Sequence, residues 1–531
     1  MHYNSRRMRR TRLHTDPKGL FLHDLLLQSC QKFGSKTALV DTSTDPVRRI
    51  SFAEYGEIVE RVARNLVAQG LKPGEVIGIY LPNCWEYSVV YHAATLAGGI
   101  PTLLNPSYRE REVQYQLETA EAVFLVTNAV SIVEINLQGL LNLRKVFSTR
   151  TDGHATTAFS ELLKTTSAAL PAPAAAAEDT LAALPFSSGT TGLPKGVMLT
   201  HTNLVTNLYQ MQVFGEAQGL REIDRTLCFL PLYHIFGLNV VLNPALVLGV
   251  SNILMPRFDM QLVLRCLMEE QITLFSLVPA VMQGLCQAAE QGLFPRNHSL
   301  RFVHTGAAPL AAKLPKHFTS LTGVTVTQGY GMTEASPATH TGYVEPERNC
   351  PEGIGHPLAL TDCRLVDEAG NDVMSGEPGE LIMRGPQFMK GYWKAPDATA
   401  AALRDGWYWS GDVAVTDEEG RYRIVDRRKE MIKYKGFPIA PAEVEGVLLE
   451  HPAVLDCGVV GRPDETAGEI PTAFVVLKEG FDGGGKLGDE LCGYVAEKLT
   501  GYKQPREVKF VSAIPRNPSG KILRKDLKSQ L

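Results

Sequence analysis

The stretch Ser187-Ser188-Gly189-Thr190-Thr191-Gly192-Leu193-Pro194-Lys195-Gly196 carries the strongest chemical signal in the sequence. Its glycines let backbone N–H groups approach an anion closely, its hydroxyls add donors, and Lys195 brings a positive charge. The order of residues differs from the Gly-x-x-x-x-Gly-Lys-Ser/Thr phosphate loop. A flexible polar loop is the alternative interpretation, but hydroxyls, glycines and a lysine together favour a polyphosphate site.

Short apolar runs on both sides of this stretch end at turn residues and alternate with helix-length segments. The runs are Val76–Tyr80, Val123–Thr127, Leu227–Leu230, Asn252–Met255, Thr273–Val278 and Phe302–His304. Helical periodicity is found in Glu54–Gln69 and Leu262–Gln271. This alternation predicts an α/β fold with a parallel sheet covered on both faces. We expect ligands at the carboxyl ends of the strands.

The pattern changes toward the C-terminus. Two strand-like runs, Val454–Val460 and Thr472–Val476, lie close to a helical segment at Glu490–Leu499. This predicts a small α+β unit, and charged residues place its boundary near Asp426–Glu430.

The domain prediction therefore has three parts. Residues 1–20 form a flexible basic tail, residues 21–426 the large N-terminal domain, and residues 427–531 the small C-terminal domain. The Arg-rich start is either a frayed tail or an organelle transit peptide. The stretch Ala168–Ala177 is either a connector or an Ala-rich helix.

Composition excludes several classes of protein. The 531 residues include 53 Lys and Arg against 57 Asp and Glu, so the chain lacks the basic field that nucleic-acid binders use. No apolar run reaches the 18 or so residues that a membrane span needs. Nine cysteines without a Cys-x-x-Cys spacing favour reduced thiols and a cytoplasmic protein over a disulfide framework or a zinc site.

Four further segments, taken with the Ser187–Gly196 stretch, resemble the motifs of the adenylate-forming superfamily. This family includes acyl-CoA synthetases, firefly-type luciferases and peptide-synthetase adenylation domains. The segments are Gln328-Gly329-Tyr330-Gly331-Met332-Thr333-Glu334, Trp409-Ser410-Gly411-Asp412, Asp426-Arg427-Arg428-Lys429-Glu430 with Lys433-Tyr434-Lys435-Gly436, and Pro518-Ser519-Gly520-Lys521. They occur in the family's order, and the resemblance extends from about Thr37 to Lys525. It implies that the small C-terminal domain is mobile and carries a catalytic lysine.

The resemblance implies a nucleotide site for ATP and Mg²⁺. Thr190, Thr191 and Lys195 would hold the β- and γ-phosphates, Thr333 would contact the α-phosphate, and Glu334 would bind Mg²⁺. A solvated glutamate is the ordinary alternative for Glu334. The other residues assigned to the nucleotide site are Ser187, Ser188, Gly189, Gly192, Gly306, Ala307, Ala308, Gln328, Gly329, Gly331 and Met332.

Three side chains are assigned to the nucleoside. Asp412 would accept both ribose hydroxyls, although an Asp that stabilises its own turn is a common alternative. Arg427 would add a ribose or phosphate contact, and Tyr330 would stack on adenine.

The same resemblance implies two half-reactions. Lys521 would stabilise adenylate formation and then leave by rotation of the C-terminal domain about Lys429. Lys433, Lys435 and Gly436 would then line a tunnel for the pantetheine arm of coenzyme A. His234 would orient the acid and gate access of the thiol, although a lone buried histidine is often structural.

Within the family, the sequence resembles 4-coumarate:CoA ligases and fatty or aryl acid–CoA ligases. The acyl pocket would be walled by Phe236, Val240, His304, Gly306, Gly329, Gly331, Pro337 and Ala338. His304 stands where hydroxycinnamate ligases have a lysine, and Val240 is bulkier than the usual residue. An aryl, medium-chain or alicyclic acid is therefore expected.

The prediction is an acid–CoA ligase with a small-molecule acid, ATP and CoA as partners, acting as a monomer or homodimer. A stand-alone enzyme that loads a carrier-protein phosphopantetheine is the nearest alternative. A non-catalytic nucleotide-binding relative is the alternative from a different class.

Overall fold

A computed structural model gives the fold. It describes residues 13–128, 135–137, 139–150, 156–187, 193–308, 310, 313–345, 349, 352–435, 437–464, 467–499, 501–517 and 520–531. Six of the residues assigned to sites above (Ser188, Gly189, Thr190, Thr191, Gly192 and Gly436) lie outside these ranges.

A nine-stranded sheet forms the centre of the N-terminal part. Its strands, in spatial order, are His356–Pro357, Ala338–Thr341, Thr325–Gly331, Phe302–Thr305, Leu274–Leu277, Arg225–Cys228, Ser251–Leu254, Thr37–Asp41 and Arg48–Ser51. The six strands from Thr325–Gly331 to Thr37–Asp41 are parallel, and the outer strands run antiparallel. The carboxyl ends of the parallel strands therefore meet at one edge of this central sheet.

A second sheet is parallel throughout. It consists of Ile100–Leu103, Val76–Tyr80, Ala122–Thr127, Lys145–Ser148 and Thr157–Ala158. The α-helices described before residue 427 are Leu22–Phe33, Phe52–Ala68, Trp85–Leu96, Glu110–Thr119, His201–Ala217, Asn243–Leu248, Met260–Glu269, Pro279–Glu290, Lys313–Thr322 and Pro396–Ala402. Trp85–Leu96 and His201–Ala217 are buried around most of their circumference. This is typical of helices that lie between layers of a large core.

Two smaller sheets complete the N-terminal part. One joins Gly391–Tyr392, Lys195–Thr200, Leu181–Ala183 and Phe186–Ser187. The other is antiparallel and joins Asp362–Val366, Gly379–Arg384, Trp407–Thr416, Leu403–Arg404 and Tyr422–Arg427. They matter for function because the first carries Lys195 and the second carries Asp412.

The C-terminal part is a separate α+β unit. Its sheet consists of Phe437–Ile439, Ile432–Tyr434, Gly468–Leu477, Val454–Asp464 and Glu507–Phe510, and its helices are Pro441–Leu448, Gly485–Lys498 and Arg524–Lys528. It has its own hydrophobic cluster, which includes Ile432, Val459 and Leu491.

The predicted α/β class with a small α+β C-terminal unit is confirmed. Strand Val76–Tyr80 has the predicted bounds, and the other predicted strands are displaced by only a few residues. The stretch Ala168–Ala177 contains no helix and is a connector, which fits the two prolines within it. Within the described ranges, no helix is long and apolar enough to cross a membrane.

Candidate active site

The predicted nucleotide residues gather at the carboxyl edge of the central sheet. Strand Phe302–Thr305 runs into Gly306, Ala307 and Ala308, and the parallel strand Thr325–Gly331 beside it runs into Thr333–Ala335, a short 3₁₀ helix. A Cβ atom at Gly331 would lie 2.2 Å from the carbonyl oxygen of Pro337. Only glycine permits this close return of the chain, which holds Pro337 and Ala338 beside Glu334.

Glu334 is buried and held by two donors on one oxygen. The Ser187 hydroxyl donates to Oε1 at 3.0 Å, and the Tyr392 hydroxyl donates to the same atom at 2.9 Å. No hydrogen bond to Oε2 is found among the described residues. A carboxylate oriented in this way can offer Oε2 to a divalent cation.

The surroundings of Glu334 fit a cation that is only partly held by protein. Within the described ranges, no three His, Cys, Asp or Glu side chains cluster as metal ligands. Mg²⁺ commonly takes one or two protein carboxylates and completes its shell with water and substrate phosphates. Glu334 is the type of ligand that this arrangement needs, and the two hydroxyl donors leave its Oε2 free of them.

Lys195 and Ser187 lie on two paired strands, at the two ends of the predicted phosphate loop. Backbone pairing joins Ser187 to Lys195 directly, and the Lys195 ammonium lies 5.5 Å from the centre of the Tyr392 ring. Residues 188–192, between them, lie outside the described residues. Of the two described residues that flank this stretch, Ser187 contacts Glu334 and Lys195 lies near Tyr392.

Asp412 lies at the other end of the nucleotide site. The Tyr330 hydroxyl donates to Asp412 Oδ2, and Arg427 Nε lies 3.4 Å from Oδ1. Burial raises the pKa of Asp412, and Arg427 is the main opposing influence. The structure thus brings together the three residues predicted to contact the nucleoside.

Lys521 reaches this same end from the C-terminal part. It lies within electrostatic range of Asp412, Arg427 and Glu430. Burial is the main cause that lowers the pKa of Lys521 to about 8, and the positive charge of Arg427 is the second. Asn517 fixes its backbone, because Asn517 Oδ1 accepts from the Lys521 amide at 2.8 Å and the Asn517 amide donates to the Lys521 carbonyl at 2.9 Å.

Arg524 ties the Lys521 segment to the segment between the two parts. It donates to Glu430 at 2.8 Å and to both oxygens of buried Glu445, at 2.5 and 3.2 Å. Asp426 Oδ2 also accepts from the Ala442 amide at 2.9 Å at the start of helix Pro441–Leu448. The turn that contains Lys429 lies between these anchors.

Lys433 and Lys435 do not join this cluster. The Lys433 amide donates to Glu469 Oε2 at 2.9 Å, and the Lys435 amide donates to the Ala467 carbonyl at 2.7 Å. Both contacts are internal to the C-terminal part, and both lysine side chains are exposed.

The residues predicted to contact the acid carry no charge at pH 7. His234 Nδ1 accepts from the Phe236 amide at 3.2 Å, so the proton of the neutral ring is on Nε2. Burial lowers the pKa of His234 to about 4, so the ring is neutral at pH 7. Phe236 leads into Gly237–Leu242, a π-helix that carries Val240. Such turns are common at functional sites.

His304 forms part of the same wall. Its Nδ1 lies 3.0 Å from Thr327 Oγ1, and burial lowers its pKa to about 4. A Cβ atom at Gly329 would lie 2.7 Å from the His304 ring, so the glycine makes room for the imidazole.

Three residues that hold the site in place were not predicted from the sequence. Asn207 donates to the Ala338 carbonyl at 2.8 Å and accepts from the Ala338 amide at 3.1 Å. Asn239 donates to the Ser336 carbonyl at 2.6 Å. Tyr392 donates a hydrogen bond to Glu334. The only hint of its role in the sequence is that it directly follows Gly391 in a short strand.

Replacing Tyr392 by Phe should weaken the Glu334 arrangement. We expect about a tenfold loss in adenylate formation with a higher Mg²⁺ concentration at half-maximal rate, because a hydrogen bond to a charged group contributes about 1.5 kcal/mol or more. Acid-dependent exchange of pyrophosphate into ATP, measured across a Mg²⁺ titration, checks this. Tyr494→Phe, on helix Gly485–Lys498, is the control. An unchanged Mg²⁺ requirement in Tyr392→Phe would contradict the assignment.

Comparison with known proteins agrees with this geometry. Residues 26–393 match the AMP-binding enzyme family, and residues 443–521 match the AMP-binding enzyme C-terminal domain. A 4-coumarate–CoA ligase of Vanilla planifolia is 37% identical over 528 residues, covering 97% of this chain and 94% of the relative.

Two solved structures share the whole fold. A benzoate CoA ligase from Burkholderia xenovorans LB400 has a TM-score of 0.86 at 26% identity, with 96% of this chain and 100% of that chain covered. An anthranilate CoA ligase in complex with anthranoyl-AMP has a TM-score of 0.87 at 26% identity, with 96% and 97% covered.

Proposed function

The chain belongs to the AMP-binding enzyme family and is an AMP-forming acid–CoA ligase, and from this premise we propose that its substrate is a hydrophobic carboxylic acid. The class includes aryl, medium-chain and alicyclic acids. The observation that carries the proposal is the set of residues predicted to contact the acid, which includes Phe236, Val240 and two histidines, His234 and His304, that burial keeps neutral. This wall offers an apolar tail a dry surface and offers an ammonium group no counter-charge.

In the first half-reaction, a carboxylate oxygen of the acid attacks the α-phosphorus of ATP. The bond from that phosphorus to the bridging oxygen breaks, and pyrophosphate leaves. We assign Lys195 and the loop of residues 187–192 to the β- and γ-phosphates and Thr333 to the α-phosphate. Asp412 would hold the ribose hydroxyls, with Arg427 beside it.

Two positive charges would offset the repulsion between the reacting anions. Lys521 would provide one from the closed C-terminal part. Glu334 would hold Mg²⁺, which when bound neutralises phosphate charge. The orientation of Glu334 by Ser187 and Tyr392 supports this role.

In the second half-reaction, the CoA sulfur attacks the carbonyl carbon of the adenylate. The thiol loses its proton to solvent, a carbon–sulfur bond forms, and the bond from the carbonyl carbon to the bridging oxygen breaks. AMP leaves with that oxygen, which came from the carboxylate of the acid. We propose that rotation about Lys429 withdraws Lys521 and presents Lys433, Lys435 and Gly436 to the pantetheine arm. His234, two residues before Phe236, would orient the acid and gate the thiol.

Two alternative functions differ from this proposal. In the first the thiol acceptor is a carrier protein instead of CoA, and in the second no reaction takes place. A carrier-protein phosphopantetheine would require the same adenylate, and a non-catalytic relative would require none. Two features support catalysis over the second rival: Lys521 lies within electrostatic range of Asp412, and the Tyr392 hydroxyl orients the Glu334 carboxylate, so the groups that the reaction would need are present and positioned. We also propose a cytoplasmic setting, which fits the unpaired cysteines in the described part of the chain.

The test is acid-dependent release of pyrophosphate and AMP from ATP and Mg²⁺, across aryl, medium-chain and alicyclic acids, with and without CoA. Acceleration by CoA with a hydrophobic acid is the expected result. Indifference to CoA but acceleration by a phosphopantetheinylated carrier protein would support the first rival. If no acid causes release of pyrophosphate and AMP while calorimetry still shows that ATP binds, the second alternative would be supported.

A further inference from the structure

The guanidinium group of Arg524 joins the segment that carries Lys521 to two carboxylates. Arg524 lies three residues after Lys521, at the start of helix Arg524–Lys528, and its side chain is only 10% exposed. Its Nε donates to Glu430 Oε2 at 2.8 Å, and its Nη1 and Nη2 donate to the two oxygens of Glu445. A guanidinium presents its donors in a rigid fork, so it can hold both carboxylates in one arrangement.

The Glu445 carboxylate fixes Arg524 to the body of the C-terminal part. Glu445 is buried on helix Pro441–Leu448, and its Oε1 also accepts from the Val459 amide at 2.7 Å. A bidentate contact with a buried carboxylate leaves the guanidinium little freedom. Arg524 therefore reaches Glu430 from a fixed base.

The Glu430 carboxylate leads back to the nucleotide site. The Glu430 amide donates to the Arg427 carbonyl at 2.9 Å and closes a turn. Arg427 is paired across neighbouring strands with Asp412, and its Nε lies 3.4 Å from Asp412 Oδ1. The ion pair between Arg524 and Glu430 thus joins the Lys521 segment to the two residues beside which Lys521 lies.

The same ion pair contributes one charge of each sign to the surroundings of Lys521. Burial is the main cause of the low pKa of Lys521, and charged groups act on this pKa as well: Arg427 and Arg524 lower it, whereas Glu430 and Asp412 raise it. Removal of either partner of the pair would leave the other charge unbalanced beside the lysine.

We propose that Arg524 and Glu430 are positioning residues for Lys521, and that their ion pair holds this lysine at the Asp412 end of the nucleotide site while the adenylate forms. This inference rests on the proposed function and adds two residues to its first half-reaction. An ion pair that served only the fold of the C-terminal part would affect both half-reactions alike. A pair that serves Lys521 should affect the first alone, because the proposed thiol step does not use this lysine.

The experiment compares Glu430→Gln and Arg524→Gln with the wild type in each half-reaction. Pyrophosphate exchange as a function of pH, with an acid that the wild type accepts, measures the first half-reaction. CoA consumption from synthetic acyl-adenylate measures the second. Glu507→Gln is the matched control, because Glu507 is also partly exposed and forms an ion pair at 3.0 Å with the Nε of another arginine of the C-terminal part, Arg462.

We expect both variants to lose pyrophosphate exchange, by about fivefold or more in Glu430→Gln, and to keep most of their thioester formation. The fall of exchange at high pH should move in opposite directions in the two variants. It should move to lower pH in Glu430→Gln, which removes a negative charge beside Lys521, and to higher pH in Arg524→Gln, which removes a positive charge. Glu507→Gln should leave both half-reactions and the pH profile unchanged.

Equal losses of both half-reactions in Glu430→Gln, or an exchange rate and pH profile that match the wild type, would overturn the inference while leaving the ligase assignment intact. Arg524→Gln leaves Glu445 buried without its partner, so a melting curve accompanies this variant. If it does not fold, Glu430→Gln decides alone, because Glu430 is partly exposed and Arg524 keeps its contact with Glu445. Absence of acid-dependent pyrophosphate release by the wild type with every acid of the panel would overturn the proposed function and this inference together.

Discussion

Lys521→Ala should lose adenylate formation by at least about 100-fold while retaining most of its thioester formation from supplied acyl-adenylate. The reason is the position of Lys521, which belongs to the C-terminal part and lies within electrostatic range of Asp412 and Arg427. In the proposed mechanism its charge is needed while pyrophosphate departs and is absent from the thiol step. Pyrophosphate exchange measures the first half-reaction, and CoA consumption from synthetic adenylate measures the second.

The control is Lys525→Ala, which removes an exposed lysine of the same segment. It should leave both half-reactions unchanged. Equal losses of both half-reactions in Lys521→Ala would show that the lysine acts in both conformations, and the two-state account would then be wrong.

The pKa of Lys521 adds a second measurement on the same group. Because burial lowers this pKa to about 8, the ammonium is present below pH 8 and is lost as pH rises through that value. Adenylate formation should therefore fall above pH 8 when thioester formation does not. In Lys521→Arg the guanidinium stays charged throughout this range, so the fall should disappear from whatever activity the variant keeps.

The architecture was predictable because strand and helix signals are local. Val76–Tyr80 is a continuous apolar run bounded by turn residues, and a fully buried parallel strand requires that pattern. The C-terminal unit was recognised in the same way, from Val454–Val460 and Thr472–Val476, and the structure merely extends both strands.

The contacts within the site were not predictable, because they depend on pairing between distant segments. Tyr392 reaches Glu334 only because strand Gly391–Tyr392 pairs with strand Lys195–Thr200, nearly two hundred residues away in sequence. The Tyr330–Asp412 contact likewise joins two different sheets.

Glu334→Gln should lower adenylate formation by about 100-fold or more and raise the Mg²⁺ concentration needed for the rate that remains. The substitution keeps the shape of the side chain, removes its negative charge and replaces one carboxylate oxygen by NH₂. If the amide oxygen stays with Ser187 and Tyr392, the NH₂ group occupies the position of Oε2 and cannot bind a cation. If the amide turns round, two hydroxyl donors lose their acceptor.

The measurement is pyrophosphate exchange across a Mg²⁺ titration, with Glu418→Gln at an exposed turn as the matched control. A melting curve separates chemistry from folding, because the substitution should change the free energy of unfolding by only about 1 kcal/mol. Thioester formation from supplied adenylate should survive, since that step releases no pyrophosphate. If Mg²⁺ dependence matched the wild type while activity fell, Glu334 would act by holding Ser187 and Tyr392 rather than by binding the metal.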